Sequence, residues 1–266
     1  AGDVNKDGIP DVIASAPGRG RVRVYSGRDG RVIHTFTGKG AAEQFGAHVA
    51  GGDVNGDGYS DAIIGAPGRG AGSPDPGRAV AYSGRDGSIL VEWTGERAGD
   101  AFGSTLAGDP VGTSRLVIVG APGAGPRRSG RAYMYSGTAT AAKFTIESDE
   151  TGGALGAMFS AIPGDVDGDG TFDVYVSDWA NAAKGPSTGR VYVHSGQDGR
   201  RLHAWTGERA GDGLGTSPSK AGDVDGDGHA DFIVGAWQES SGAPGGGRAY
   251  LYSGKTGALV RTFTNK

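Results

Sequence analysis

The chain has 266 residues, of which 54 are glycine, about a fifth against the roughly 7% of average usage. Hydrophobic residues at 36% and aromatics at 8% suffice for a packed core, and the 12 scattered prolines exclude a collagen or polyproline segment. The absence of cysteine excludes disulfides, thiolate zinc sites and a cysteine nucleophile, and the net charge of −4 argues against a nucleic-acid binder. No apolar run approaches the roughly 18 residues that cross a bilayer, so no membrane insertion is expected, and no signal-peptide pattern is present in the sequence.

In chain order, the phrase GDVNKDGIPDVIASAP at Gly2 to Pro17 is repeated as GDVNGDGYSDAIIGAP at Gly52 to Pro67. A degenerate copy, GDPVGTSRLVIVGAP, starts at Gly108. Two further copies, GDVDGDGTFDVYVSDW and GDVDGDGHADFIVGAW, start at Gly164 and Gly222. The opening aspartates, Asp3, Asp53, Asp109, Asp165 and Asp223, are spaced by 50, 56, 56 and 58 residues, so five units, approximately 1–50, 51–107, 108–163, 164–220 and 221–266, fill the chain as a single domain. Each unit continues into an alternating segment such as RVRVYSG (Arg21 to Gly27) or RAYLYSG (Arg248 to Gly254), the period-two pattern of a half-buried strand. A GRDG, GQDG or GKTG hairpin turn follows, then a strand such as VIHTFTG or ILVEWTG, a polar stretch, and a strand leading into the next acidic phrase. Four short strands per unit without any helical period predict an all-β fold, a β-propeller of four-stranded antiparallel blades. The first blade lacks one strand, which suggests a section of a larger ring.

Phe45-Gly46 and Phe102-Gly103, the acidic loops, and the GAP triplets at Gly65 to Pro67 and Gly120 to Pro122 together resemble the FG-GAP repeats of integrin α-subunit propellers and their bacterial relatives. The resemblance spans all five units. The FG becomes Leu155-Gly156 and Leu214-Gly215 in later units, and the GAP becomes SAP, SDW and GAW at Ser15, Ser177 and Gly235. The resemblance implies an interaction module, with the acidic loops and YSG hairpins on one face of the disc.

The spacing D-x-[DN]-x-D-G-x-x-D recurs in four units and predicts four calcium sites. The first takes Asp3, Asn5, Asp7 and Asp11, and the second Asp53, Asn55, Asp57 and Asp61. The later pair takes Asp165, Asp167, Asp169 and Asp173, then Asp223, Asp225, Asp227 and Asp231. Position seven would add a main-chain carbonyl from Ile9, Tyr59, Thr171 or His229, completing an all-oxygen set of the kind calcium selects. The glycine at position six permits the sharp turn. An EF-hand starts similarly but needs a glutamate at position twelve and a following helix, whereas position twelve here is Ala14, Ile64, Val176 or Val234 in a β-branched run. The alternative is that these clusters are solvated turns. In the third unit Asp109 is followed by Pro110 and Val111, the ligand set is lost, and that loop is expected to be empty.

No nucleophile elbow, zinc-helix or dinucleotide motif is present, so the calcium is expected to be structural and the protein not an enzyme. Variation between units concentrates on the face opposite the acidic loops. Trp179 and Trp237 stand there where the repeat has proline, and Arg127 and Arg128 add positive charge. These four are the candidate contacts to a protein or glycan partner, whereas Trp93 and Trp205 read as core. The leading function is calcium-stabilised adhesion or recognition. A structural scaffold within a larger secreted or surface protein, and a polysaccharide-acting enzyme or lectin, are the alternatives. Modest-affinity calcium loops fill only outside the cell, which places the protein in an extracellular, periplasmic or cell-surface setting.

Overall fold

A computed structural model describes residues 2–69, 73–109, 112–149, 153–239 and 245–264. They form five antiparallel sheets, one of three strands and four of four, each built from strands consecutive in sequence. Blade one contains β1 (Val12–Ala16), β2 (Arg21–Tyr25) and β3 (Val32–Thr37). Blade two contains β4 (His48–Gly52), β5 (Asp61–Ala66), β6 (Arg78–Tyr82) and β7 (Ile89–Thr94), and blade three β8 (Leu106–Gly108), β9 (Leu116–Ala121), β10 (Arg131–Ser136) and β11 (Phe144–Glu147). Blade four contains β12 (Ser160–Ala161), β13 (Val174–Asp178), β14 (Arg190–His194) and β15 (Arg201–Thr206), and blade five β16 (Leu214–Gly222), β17 (Asp231–Ala236), β18 (Arg248–Tyr252) and β19 (Leu259–Thr264). Among the described residues blade one has no counterpart of β4, as the repeat arithmetic predicts. Residues of β4, β8, β12 and β16 line one shared cavity of about 430 Å³, so the first strands of these blades converge on a common axis, as in a β-propeller.

The blades are held by apolar surfaces stacked face to face. Four buried clusters are present among the described residues, and each joins two adjacent blades. Val22, Val24 and Phe36 of blade one meet Phe45, Ile64 and Ala66. Ile63 and Trp93 of blade two meet Phe102, Val117 and Tyr135. Leu116 and Met134 meet Leu155, Val176 and Tyr192, and Tyr175 and Val193 meet Leu214, Phe232 and Tyr252. Successive side chains of one strand therefore serve opposite neighbours: Ile64 faces blade one and Ile63 faces blade three. This is why β5, β9 and β13, buried throughout, read as unbroken apolar runs rather than alternating ones. In β1, at the start of the array, Val12 is 56% exposed, and every residue of β19 is exposed.

The FG and GAP signatures meet within blades two, three and four. The amides of Gly46, Gly103 and Gly156 donate to the carbonyls of Gly65, Gly120 and Ser177. Phe45, Phe102, Leu155 and Leu214 are all at most 2% exposed, so leucine fills the same place as phenylalanine. Trp93 is core and donates from Nε1 to the Ala139 carbonyl of the next blade. Trp205 is half-buried and reaches the Gly257 carbonyl in the same way.

Blade four solves one problem by exchange. In blades three and five, the carboxylates of Asp100 and Asp212 accept the amides of Arg97 and Arg209, capping the loop before the FG position. The counterpart in blade four is Gly153, and the carboxylate comes instead from Asp178, which replaces the alanine of the GAP triplet. Asp178 is fully buried and accepts hydrogen bonds from Ser148 Oγ, the Ala154 amide and Asn181 Nδ2. A Cβ at Gly153 would lie 2.2 Å from Asp178 Oδ2, so the two changes require each other. Asp178→Ala is expected to lower stability by about 1–3 kcal/mol through orphaned buried donors. Adding Gly153→Asp, which recreates the arrangement of blade five, is expected to recover most of that loss in thermal melting. A double variant no more stable than Asp178→Ala would show that the exchange is not compensatory.

Candidate functional site

The four acidic loops share one hydrogen-bonded frame. The position-one carboxylate accepts the amides of positions five and six: Asp3 from Asp7 and Gly8, Asp53 from Asp57 and Gly58, Asp165 from Asp169 and Gly170, Asp223 from Asp227 and Gly228. The position-five carboxylate accepts the amide of position seven in each loop, from Ile9, Tyr59, Thr171 and His229. Short aspartate and asparagine side chains suit such local bonding. Position six is left-handed throughout, with φ of 86° at Gly8, 82° at Gly58, 87° at Gly170 and 86° at Gly228. Position four is also left-handed, with glycine at 56, 168 and 226 but Lys6, at φ 61°, in the first loop.

These bonds turn side chains at positions one, three and five toward one another. One oxygen from each of Asp165, Asp167 and Asp169 lies within 4.8 Å of the others, and the same holds for Asp223, Asp225 and Asp227. Calcium–oxygen bonds of 2.3–2.6 Å place opposite ligands of one ion about 5 Å apart, so each trio fits within one coordination shell. The first two loops carry Asn5 and Asn55 at position three, whose Oδ1 atoms accept the amides of Asp7 and Asp57. The donor set is oxygen throughout, the chemistry of a hard cation. Basic side chains lie against the same carboxylates: Arg28 Nε is 3.2 Å from Asp7 Oδ2 and Arg200 Nη2 is 3.1 Å from Asp167 Oδ2.

Position nine is built differently from the trios. Asp11, Asp61, Asp173 and Asp231 are at most 3% exposed. One oxygen accepts the amide of the loop's second residue, Val4, Val54, Val166 or Val224. The other accepts the amide of the YSG glycine, Gly27, Gly84, Gly196 or Gly254. This carboxylate is therefore a clamp between loop and hairpin, and it is absent from the clusters formed by the first three acids. The clamp requires close contact: a Cβ on Gly84 or Gly196 would stand 2.1 or 1.9 Å from the carbonyl oxygen of Ser60 or Phe172, which is why the triplet ends in glycine. In blade three Leu116 takes the clamp position, and the Gly137 amide donates to the Arg115 carbonyl instead. Asp109 is buried and accepts both the amide and hydroxyl of Ser114. Pro110 and Val111 lie outside the described residues.

The loops also touch neighbouring blades. Val4, Val54 and Val166 are at most 1% exposed and belong to clusters shared with the following blade. The Ser60 amide donates to the Asp3 carbonyl and the Ala230 amide to the Asp165 carbonyl, so consecutive loops are bonded in two of the junctions. Val224, which has no following blade in the chain, is 53% exposed. His34 and His203 hold the same place in the repeat, and each donates from Nε2 to a YSG glycine carbonyl of the next blade, Gly84 or Gly254, at 2.6 Å. Aligning VIHTFTG with RLHAWTG would have exposed this equivalence, which the spacing of the histidines in the chain conceals. His194 bonds the Gly199 carbonyl at its own hairpin, and His229 Nδ1 lies 2.9 Å from the Val166 carbonyl.

The candidate partner residues lie at the other end of the strands. Trp179 and Trp237 follow β13 and β17, whose first ends adjoin the acidic loops. They line a common cavity with Met158. Arg127 and Arg128 lie on an exposed 3₁₀ turn after β9, both left-handed at φ 56°, and only Arg128 lines the nearby cavity shared with Arg97. The four candidates thus occupy two separate places.

The FG-GAP-like repeat family matches residues 3–64 and the FG-GAP repeat family matches residues 214–252. Integrin alpha-4 of Xenopus laevis is 30% identical over 177 residues, covering 60% of this chain and 17% of that protein. FG-GAP repeats are therefore present at both ends of the chain, which is similar to an integrin α-chain and spans 17% of the length of that relative. Among the described residues no helix is long and apolar enough to cross a membrane.

Burial sets the titration of the clamps. Desolvation pushes Asp61 up to about 6, aided by the Asp57 charge and opposed by the amides of Gly84 and Val54. Desolvation likewise pushes Asp173 up to about 7, aided by Asp167 and opposed by the amides of Gly196 and Val166. Both folded values exceed the ordinary 3.8, so between about pH 4 and 7 these two carboxyls bind more protons in the metal-free fold than in the unfolded chain, and their contribution to stability falls as pH rises. Burial lowers His48 and His194, which acts in the opposite direction below pH 6.5. Carboxyl NMR of the metal-free protein is expected to show midpoints near 6 for Asp61 and near 7 for Asp173. Midpoints near 4 for both would show that burial does not control them.

Proposed function

We propose that the protein is a calcium-stabilised extracellular recognition module, in which calcium is structural and a protein or glycan partner docks on the face opposite the acidic loops. The observation that carries the calcium reading is the convergence of carboxylate oxygens within one ion's coordination distance in the loops of blades four and five, whose hydrogen-bonded frame the first two loops share. Positions one, three and five would hold the ion, with the carbonyls of Ile9, Tyr59, Thr171 and His229 as further ligands. The position-nine carboxylates hold the frame, and their oxygens retain capacity for a further contact. Calcium would supply positive charge where fourteen of the chain's 30 acids are concentrated, replacing the partial neutralisation given by Arg28 and Arg200. The third loop would remain without an ion.

An extracellular setting follows from the calcium affinity expected of loops without a bidentate glutamate, about 10⁻⁴ to 10⁻³ M, and agrees with the similarity to an integrin α-chain. The regular recurrence of the loops with the blades supports an architectural rather than catalytic ion. Docking on the opposite face is supported by the exposure of Trp237, at 55%, and by the variation of the loops there.

Melting in 10 mM calcium against excess chelator tests the calcium reading. With affinities in the expected range, each filled loop is expected to add about 1–3 kcal/mol. Replacing Asp165, Asp167 and Asp169 together by asparagine is expected to remove one site from the calorimetric stoichiometry of four. Equal melting temperatures with and without calcium, or an unchanged stoichiometry, would refute the assignment.

A further inference from the structure

We propose that the cleft between Trp179 and Trp237 binds one neutral hexopyranose unit of a glycan. The proposal rests on the recognition reading above and names its ligand class. The cleft lies between blades four and five, has a volume of about 330 Å³, and is lined by Met158, Phe159, Trp179, Thr216, Ser217 and Trp237. That size is within the range of small-ligand sites. Trp179 and Trp237 directly follow Ser177-Asp178 of β13 and Gly235-Ala236 of β17, at the positions held by Pro67 and Pro122 in blades two and three.

Three observations indicate a binding site rather than incidental packing. First, Trp179 Nε1 is buried and has no hydrogen-bond partner among the described residues, a costly state for an N–H donor unless a ligand oxygen completes it. Second, the backbone opposite is distorted. Ser217 is left-handed at φ 49°, and the pairing of β16 with β17 shifts register between Leu214 and Thr216 and again between Thr216 and Ser219. Such bulges and positive-φ residues re-aim side chains at functional sites. Third, Trp237 is 55% and Met158 50% exposed, yet the Trp237 ring is seated: a Cβ on Gly213 would stand 2.5 Å from its Nε1. The same position is Gln44 in blade two and Ala101 in blade three, so glycine here makes room for the indole.

The lining chooses the ligand. Among the described residues no charged side chain lines the cleft, so an ionic ligand would lose its solvation without a counter-charge. An aliphatic peptide side chain would fill the volume but leave the Trp179 N–H unmade. A pyranose ring offers a flat C–H face to an indole and, around its rim, hydroxyl oxygens that accept from Trp179 Nε1 and exchange hydrogen bonds with Thr216 and Ser217.

The test titrates the calcium-loaded full chain with methyl β-D-galactopyranoside, methyl β-D-glucopyranoside and N-acetyl-L-leucine amide, reading tryptophan fluorescence and ligand-observed NMR. At least one glycoside is expected to saturate with a dissociation constant of about 1–10 mM. Trp237→Ala should weaken binding at least about tenfold, and Trp179→Phe, which retains an aromatic ring but no N–H, by about three- to tenfold. Saturation by the leucine amide alone, no saturation by any probe, or glycoside binding indifferent to both substitutions would overturn the proposal. Calcium-dependent melting of the same samples verifies that each variant is folded and reports separately on the acidic loops. A failed sugar titration with that melting intact would refute the cleft alone.

Discussion

The structure depends on a buried carboxylate that joins three things. At position nine of each complete acidic loop, an aspartate accepts one amide from the loop and one from the YSG hairpin of its own blade. The loop amide belongs to a valine that, in blades one, two and four, is packed into the interface with the next blade. Loop conformation, blade closure and blade-to-blade packing are consequently coupled through one side chain and one backbone amide. Anything that fixes the loop, such as an ion among the first three acids, acts on the interface without touching it. The coupling explains why the loops recur with the blade period and why a purely local turn would not serve.

Ion pairs reinforce the stack at its rim. Arg78, Arg131, Arg190 and Arg248 begin the third strands of blades two to five. They pair with Glu43, Glu96, Asp149 and Glu208 in the connections from the preceding blades. The Arg78–Glu43 pair, 3.0 Å apart and about nine-tenths buried on both sides, also stacks its guanidinium over Phe45. A buried pair of this kind contributes more to register than to net stability, because desolvation offsets much of the attraction.

Much of this was legible in the sequence because the repeat compares the chain with itself. Period-two alternation, the glycine at position six and the turn triplets located the strands, loops and hairpins at the right places, and the incomplete first blade followed from counting. Three features were hidden for physical reasons. The position-nine aspartate has the same residue type as the trio beside it, so nothing in the residue pattern announced its burial or its bonds to both loop and hairpin. The exchange of Asp178 for the carboxylate missing at Gly153 joins residues 25 positions apart in sequence, so it appears as two unrelated departures until the chain is folded. Lys6 occupies a left-handed position because the loop frame imposes it, and nothing in its chemistry announces that. The two tryptophans were marked by their departure from proline, but their joint cleft depends on the bulged course of β16, which no pattern of residues specifies.

Hydrogen exchange at the YSG glycine amides tests the central coupling most directly. The amides of Gly84 and Gly196 are donated to clamp carboxylates, whereas that of Gly137, in the blade with the degenerate loop, is donated to the Arg115 carbonyl. On adding calcium, protection of Gly84 and Gly196 is predicted to rise well beyond any change at Gly137. Equal changes at all three, or none at the clamped pair, would contradict the account.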